Sequence, residues 1–278
     1  MDEGKTSSTE AGEITTATTP AAATATGDGG GSAVTGSVWA IGDVHGQRQM
    51  LETLLELLPR AAHDITVFLG DYIDRGPDSA GVVRRALAEY DQAPERTVLL
   101  WGNHEDMAAS HFGFAAPSGY QYDPFDWFRN GGIAALESFG HRRPELFRVP
   151  CPPEFERLFG LLRPFWRAPQ NADPALAPYI WVHAGVPPGQ TPEEARPDTL
   201  LWIRDEFLNV NDPSGRIIVH GHTPFEAVRL RSDKIGIDTG AAYGGVLSAL
   251  QLPERRIFQV ARDGRTATFD LPPTSAQR

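Results

Sequence analysis

Apolar and polar positions follow two different periods along this chain. In "QRQMLETLLELLPR" the apolar residues Met50, Leu51, Leu54, Leu55 and Leu58 recur at helical spacing and Pro59 closes the run. That pattern predicts an amphipathic helix. "SAGVVRRALAEY" (Ser79–Tyr90) repeats the period, and "HEDMAASHF" reads as a further helix. Between them lie short apolar runs, "SVWAIGD" (Ser37–Asp43), "DITVFLGD" (Asp64–Asp71) and "RTVLLWGN" (Arg96–Asn103), which predict strands. Strand and helix alternating at intervals of about 30 residues is the βαβ rhythm of a parallel sheet.

The middle, roughly Met107 to Pro178, is rich in Pro, Gly and aromatic residues, with helical pieces in "IAALESFG" and "PEFERLFGLL". Strand patterns resume in "YIWVHAG", "RIIVHGHT", "KIGIDTG", "GVLSALQL" and "RIFQVAR". They stand close together with little room for helices, which predicts a largely antiparallel second half. The fold class implied is α/β, with two sheets packed face to face and helices outside. From Met1 to about Gly36 the chain is Thr, Ala, Gly and Ser with almost no aliphatic side chains. Such a segment buries too little surface to offset its ordering entropy. Residues 1–36 are therefore expected to form a disordered tail, with a folded domain over 37–272 and a short C-terminal tail over 273–278.

Composition narrows the function classes. The chain has 278 residues, 41% hydrophobic and 22% charged, which suits one large domain or two small ones. Its formal net charge is −11; the tail holds Asp2, Glu3, Glu10, Glu13 and Asp28 against Lys5, so five acids minus one base gives −4 and leaves −7 for the rest. That balance argues against a nucleic-acid or anionic-membrane surface. An anionic substrate stays open, because bound divalent ions reverse the local field. The single cysteine, Cys151, allows no internal disulfide. No apolar run approaches the roughly 18 residues of a membrane span. No basic stretch precedes a continuous apolar core at the N-terminus, so a cytoplasmic location is expected.

Five of the predicted strands end alike, in an apolar run followed by Gly, His or Asn and a ligand-type residue. They give "GDVHG" (Gly42–Gly46), "GDYIDRG" (Gly70–Gly76), "GNHE" (Gly102–Glu105), "HAG" (His183–Gly185) and "HGHT" (His220–Thr223). Ligands bind beyond the carboxyl ends of strands in open α/β sheets, so Asp43, His45, Asp71, Asn103, His183 and His222 are expected to converge. Oxygen and imidazole donors without cysteine suit Mn, Fe or Zn rather than a closed structural zinc site. A carboxylate bridging two ions about 3.5–4 Å apart is the two-metal arrangement for displacement at phosphorus.

These five motifs, in this order, resemble the phosphoprotein phosphatase family of calcineurin-like metallophosphoesterases, with the nearest likeness to its bacterial and bacteriophage branch. The resemblance covers about Val38 to Leu271 and makes 37–272 a metallophosphoesterase catalytic domain. It implies that Asp43, His45 and Asp71 hold one metal, and that Asp71 bridges to a second held by Asn103, His183 and His222. Manganese is the expected metal, with iron or zinc as alternatives. The resemblance also implies that His104 gives a proton to the leaving alkoxide, with Asp74 orienting it, and that Arg75 and Arg204 grip phosphate oxygens. The implied reaction is hydrolysis of phosphoserine, phosphothreonine or phosphotyrosine monoesters by direct attack of hydroxide held by the two metals.

The same core also serves the alternative substrate class, dinucleoside polyphosphates, and the substrate is then a phosphorylated small molecule rather than a phosphoprotein. A non-catalytic phosphate-binding scaffold would show a lost ligand or a missing proton donor, and neither is lost in this sequence. Blander roles are weighed beside these: an ion pair capping a turn for Asp74 and Arg75, and a helical partner of Asp205 or Glu206 for Arg204. His220 reads as a core or supporting residue, since alternate strand residues face opposite ways and His222 matches the motif. His63, His111 and His141 read as surface or structural, and Cys151 as a loop residue. Trp39, Trp101, Trp181 and Trp202 read as core, whereas Trp127 is expected to line the substrate cleft. Tyr243, in "IDTGAAYGG", resembles a loop position near the family's site and equally fits a plain turn.

Overall fold

A computed structural model of the chain describes residues 36–141 and 149–273. Of the expected tails over 1–36 and 273–278, all but residues 36 and 273 lie outside the described residues. The sequence periods become elements close to where they were expected. The first three strands are β1 (Val38–Ile41), β2 (Ile65–Phe68) and β3 (Thr97–Leu99), joined by helices α1 (Arg48–Leu57) and α2 (Ser79–Gln92). Helix α3 (Asn103–His111) follows β3 directly. Asp78 caps α2 by accepting the Gly81 amide at 2.7 Å, which satisfies one of the orphan donors of its first turn.

The middle contributes four short helices or helical turns: α4 (Pro124–Trp127), a π-type turn over Phe128–Gly132, α5 (Ile133–Ser138) and α6 (Pro153–Phe159). The second half holds β4 (Phe165–Arg167), β5 (Tyr179–Val182), α7 (Pro197–Trp202), α8 (Asp205–Asn209), β6 (Ile217–His220), β7 (Arg229–Leu230), β8 (Lys234–Gly236), β9 (Val246–Leu252), β10 (Arg256–Ala261) and β11 (Thr266–Asp270).

Two mixed sheets result, ordered β11-β10-β9-β1-β2-β3 and β4-β5-β6-β8-β7. The β1–β2–β3 pairing is parallel as expected. The largely antiparallel second half that was expected departs from that pattern at two pairs, because β5–β6 and β6–β8 are also parallel. The stretch between β5 and β6 carries α7 and α8 and is long enough for the crossover that parallel pairing requires. The other pairs of the second half, β4–β5, β7–β8, β9–β10 and β10–β11, are antiparallel as close spacing suggested.

Strand parity explains the layers. Val38 and Ala40 of β1 point between the sheets, with Val67, Val98 and Leu250, onto Trp181, Val219 and Ile235 of the second sheet. Trp39 and Ile41 point the other way, onto Leu51 and Leu54 of α1 and Val82 and Val83 of α2. On the far face of the second sheet, Ile180, Val182 and Ile218 pack on Leu200, Phe207 and Leu208 of α7 and α8. Each fully buried large aliphatic contributes about 1.5–3 kcal/mol. Among the described residues, no helix is long and apolar enough to cross a membrane.

Candidate active site

The carboxyl ends of β1, β2, β3, β5 and β6 turn sharply into the loops that carry the predicted residues. His45, Asp71, Asp74, Arg75 and His222 all have positive φ, at 43°, 51°, 75°, 64° and 65°; among the described residues, Arg255 is the one other non-glycine in that region. Left-handed backbone costs an L-residue about 1–2 kcal/mol, so five such positions at one place mark a geometry that packing imposes. Asp43, His45, Asp71, Asp74, Asn103, His104, His183 and His222 are all buried.

The lone pairs of these side chains meet. His45 Nδ1 lies 2.8 Å from the Ile73 carbonyl and His183 Nδ1 lies 2.8 Å from the Leu69 carbonyl. Each of those nitrogens therefore carries the proton, and each Nε2 offers a lone pair. His45 Nε2 stands 3.4 Å from Asp71 Oδ2, and His183 Nε2 stands 3.5 Å from Asp71 Oδ1. His183 Nε2 also faces Asn103 Oδ1 at 2.9 Å, acceptor against acceptor. His222 Nδ1 lies 2.9 Å from the same amide oxygen, and its backbone N–H donates to Asp43 Oδ2 at 2.9 Å. Two triads, His45–Asp71–His104 and Asp71–His183–His222, each gather ligand-type atoms within 4.8 Å of one another and share Asp71. Asp43 Oδ1, His104 Nε2 and His222 Nε2 are buried without a hydrogen-bond partner among the described residues.

Crowded acceptors and orphaned polar atoms fit a divalent cation, because a positive ion satisfies several lone pairs that no hydrogen bond does. Arg75 donates through Nη1 to His45 Nε2, so the guanidinium occupies the direction from which a cation would reach that lone pair. Burial drives the His45 imidazole down to about 4 and holds His183 and His222 below their ordinary range. Neutral imidazole is the form that ligates metal. Burial works against the Asp71 carboxylate, but the imidazoles of His183, His104, His45 and His222 outweigh it and pull Asp71 down. Asp43 is pushed well up by burial, then by the charges of Asp238 and Asp71.

His104 and Asp74 form a buried pair, with Nδ1 2.5 Å from Asp74 Oδ2. Burial is the largest influence on both, holding the imidazole well down and the carboxyl well up. One proton shared between them is the state this contact favours. Asp74 therefore does not cap a turn as a solvated ion pair with Arg75. Arg75 is half-buried and sits 5.3 Å over the exposed Tyr243 ring. Arg204 lies at the rim, exposed, with Nη1 donating to Thr223 Oγ1 at 3.2 Å. Its charge helps lower His183 and His222, but the structure draws it into no hydrogen bond with the cluster. Trp127 corrects the sequence reading: it is 1% exposed and lines no cleft, and its Nε1 donates to Asp74 Oδ1 at 3.1 Å and Oδ2 at 2.9 Å.

Residues 36–243 match the family model described as calcineurin-like phosphoesterase. The chain belongs to this family. The phosphoesterase is 28% identical over 272 residues to a symmetrical bis(5′-nucleosyl)-tetraphosphatase of Bordetella parapertussis, covering 81% of this chain and 95% of that one. It is 28% identical over 229 residues to serine/threonine-protein phosphatase 1 of Salmonella typhimurium, covering 77% and 91%. Among solved structures, that of a candidate diadenosine tetraphosphatase superposes with a TM-score of 0.55 at 21% identity, covering 86% of this chain and 96% of that chain. At that identity the superposition speaks to the fold.

Two residues of the phosphoesterase site escaped sequence reasoning. Glu105 accepts the backbone N–H groups of Asp71, Tyr72, Ile73 and Gly102 at 2.8, 3.0, 3.3 and 3.2 Å. Its signal was the fourth letter of "GNHE", read as motif without a role. Burial, then the Asp71 charge, push its carboxyl up to about 8 against the pull of those amides. Asp238, in "GIDTG", is buried beside Asp43, and burial first raises it to about 6. That stretch was read as a strand running into the Tyr243 loop, with no role for Asp238. His220 is a core residue as expected, edge-on to Phe207 at 5.0 Å. His111 packs on Trp127 and Phe128, and His63 is exposed.

Proposed function

We propose that this phosphoesterase hydrolyses phosphoserine and phosphothreonine monoesters, with phosphotyrosine esters accepted in the same pocket. Asp43, His45 and Asp71 would hold one divalent ion, and Asp71, Asn103, His183 and His222 the other, with manganese the expected metal and iron or zinc suited to the same donors. Bound there, such ions supply Lewis acidity toward the phosphoryl group and acidify water. Arg75 and Arg204 bind phosphoryl oxygens from the rim, where Tyr243 supports the Arg75 guanidinium. Asp74 holds His104 so that its Nε2, buried and unpaired, delivers a proton to the departing oxygen.

The observation that carries this reading is the His104–Asp74 pair. A seryl or threonyl alkoxide is a strongly basic leaving group and departs only with a proton in hand. A nucleotide phosphate released from a dinucleoside polyphosphate is a stable anion that gains little from one. A buried proton donor held by its own carboxylate suits the first substrate better. The second reading, dinucleoside polyphosphate hydrolysis, is favoured by the identity to the Bordetella tetraphosphatase over 81% of the chain.

Side-by-side hydrolysis of a phosphoserine peptide and diadenosine tetraphosphate, with manganese supplied, tests the choice. The expected result is a higher kcat/KM on the peptide and a loss of about a hundredfold or more in His104→Asn on that substrate. Diadenosine tetraphosphate turned over about tenfold better than the peptide would move the assignment to the second reading.

A further inference from the structure

Trp127 stands apart from the phosphate-handling groups in sequence, yet its indole reaches the carboxylate that holds the proton donor. It ends α4, in the stretch "WFRNGG", and donates Nε1 to both Asp74 oxygens at 3.1 and 2.9 Å. The same carboxylate meets His104 Nδ1 at 2.5 Å, and the Asp74 backbone N–H donates to Ser79 Oγ at 2.9 Å. We propose that Trp127 is a positioning residue for the proton donor, fixing the Asp74 carboxylate so that His104 presents Nε2 to the leaving oxygen.

An indole N–H is a donor with no acceptor capacity, so it clamps the carboxylate and cannot compete for the proton shared with His104. Its ring is itself immobilised. His111 and Phe112 lie 5.0 and 5.5 Å from it between centroids, and Phe155 lies 6.4 Å away. Two glycines allow the segment to lie this close. A Cβ on Gly132 would come within 2.6 Å of the Trp127 ring, and one on Gly131, at φ 115°, within 2.6 Å of the Arg75 amide nitrogen. The short turn thus packs on the Asp74–Arg75 corner with both its indole and its bare backbone. Through that corner, the middle segment reaches into the acid-transfer half of the site.

This inference rests on the reading of His104 as general acid, and it predicts a graded loss rather than a uniform one. Help from an acid matters most when the leaving group is most basic. The test measures kcat and KM on a phosphoserine peptide and on dinitrophenyl phosphate, whose leaving group needs no proton. The enzymes are the wild type, Trp127→Phe, and a variant carrying β-(3-benzothienyl)alanine at position 127, which keeps the indole shape without the N–H. His104→Asn serves as the reference.

Both Trp127 variants are expected to lose about tenfold or more in kcat on the peptide and less than about twofold on dinitrophenyl phosphate, with KM and bound metal unchanged. Equal losses on the two substrates would reduce Trp127 to a packing role and overturn the proposal, as would full peptide activity. If His104→Asn shows the graded loss and the Trp127 variants do not, the positioning role alone falls. If His104→Asn loses equally on both substrates, the general-acid reading falls and this proposal with it. The benzothienyl variant decides the matter should the phenylalanine variant fail to fold.

Discussion

Glu105 receives the Asp71 backbone N–H at 2.8 Å, and three more amides of the same two turns hang from its carboxylate. A side chain from the first turn of α3 thereby holds the left-handed corner after β2, where Asp71 and Asp74 sit at positive φ. The strain of that corner persists because its amides have a fixed acceptor.

Glu105→Ala removes the acceptor and leaves buried N–H groups unpaired at about 1–3 kcal/mol each, so a loss of about 3 kcal/mol or more is expected in urea unfolding. Glu105→Gln keeps one carbonyl oxygen and is expected to lose less. Equal stability of Glu105→Ala and wild type would show that the loop holds itself.

The His183 and Asn103 acceptors face each other at 2.9 Å, an arrangement that a cation relieves. Removing divalent metal with a chelator is expected to lower the thermal midpoint, and manganese at about a hundredfold over its Kd to return about 2.7 kcal/mol. Asn103→Ala is expected to abolish most of that shift. Differential scanning calorimetry with and without manganese reads both.

His220 is fully buried and its imidazole is held down to about 4, chiefly by burial, against an ordinary value of 6.5. As pH falls through 6.5 the unfolded chain takes up this proton and the folded chain does not. Stability is therefore lost between pH 6.5 and about 4, by up to about 3 kcal/mol from this group, and no further below. His220→Asn keeps a donor near the Gly221 carbonyl that Nδ1 contacts at 3.0 Å. Its unfolding free energy is expected to depend less steeply on pH across that window. An unchanged slope in chemical denaturation would count against the assignment.

Cys151 is half-buried, and burial, with the Glu156 charge second, pushes its thiol up from 9.0 to about 11. At pH 8 the native protein then holds about a hundredfold less thiolate than the unfolded chain, and only the thiolate reacts. Alkylation by iodoacetamide is expected to be slower by about that factor in the native state and to speed up through pH 10. Fast native labelling at pH 8 would show an activated cysteine and not the loop residue the sequence suggests.

Legibility in the sequence followed the range of the interactions. Helix α1 and strands β1, β2 and β3 depend on side-chain periods of a few residues, and they formed close to where the pattern put them. The parallel pairing of β5 with β6 was missed because strand direction depends on the path between strands, and α7 and α8 are too short to announce that path. Trp127 was misplaced for a similar reason: an apolar ring in an irregular stretch gives no sign of the carboxylate 53 positions away that its N–H meets.

By itself, the sequence determined the calcineurin-like phosphoesterase family and the candidate ligands. Asp43, Asp71, Asn103 and His183 close apolar runs, with His45 and His222 in the turns just beyond, and a strand end is a local event. Only the tertiary structure decided how those ends are held: the four amides on Glu105, the indole on Asp74, and the acceptors crowded around Asn103. Hydrogen bonds between residues tens of positions apart leave no period in a chain, because each partner is placed by the packing of a different element.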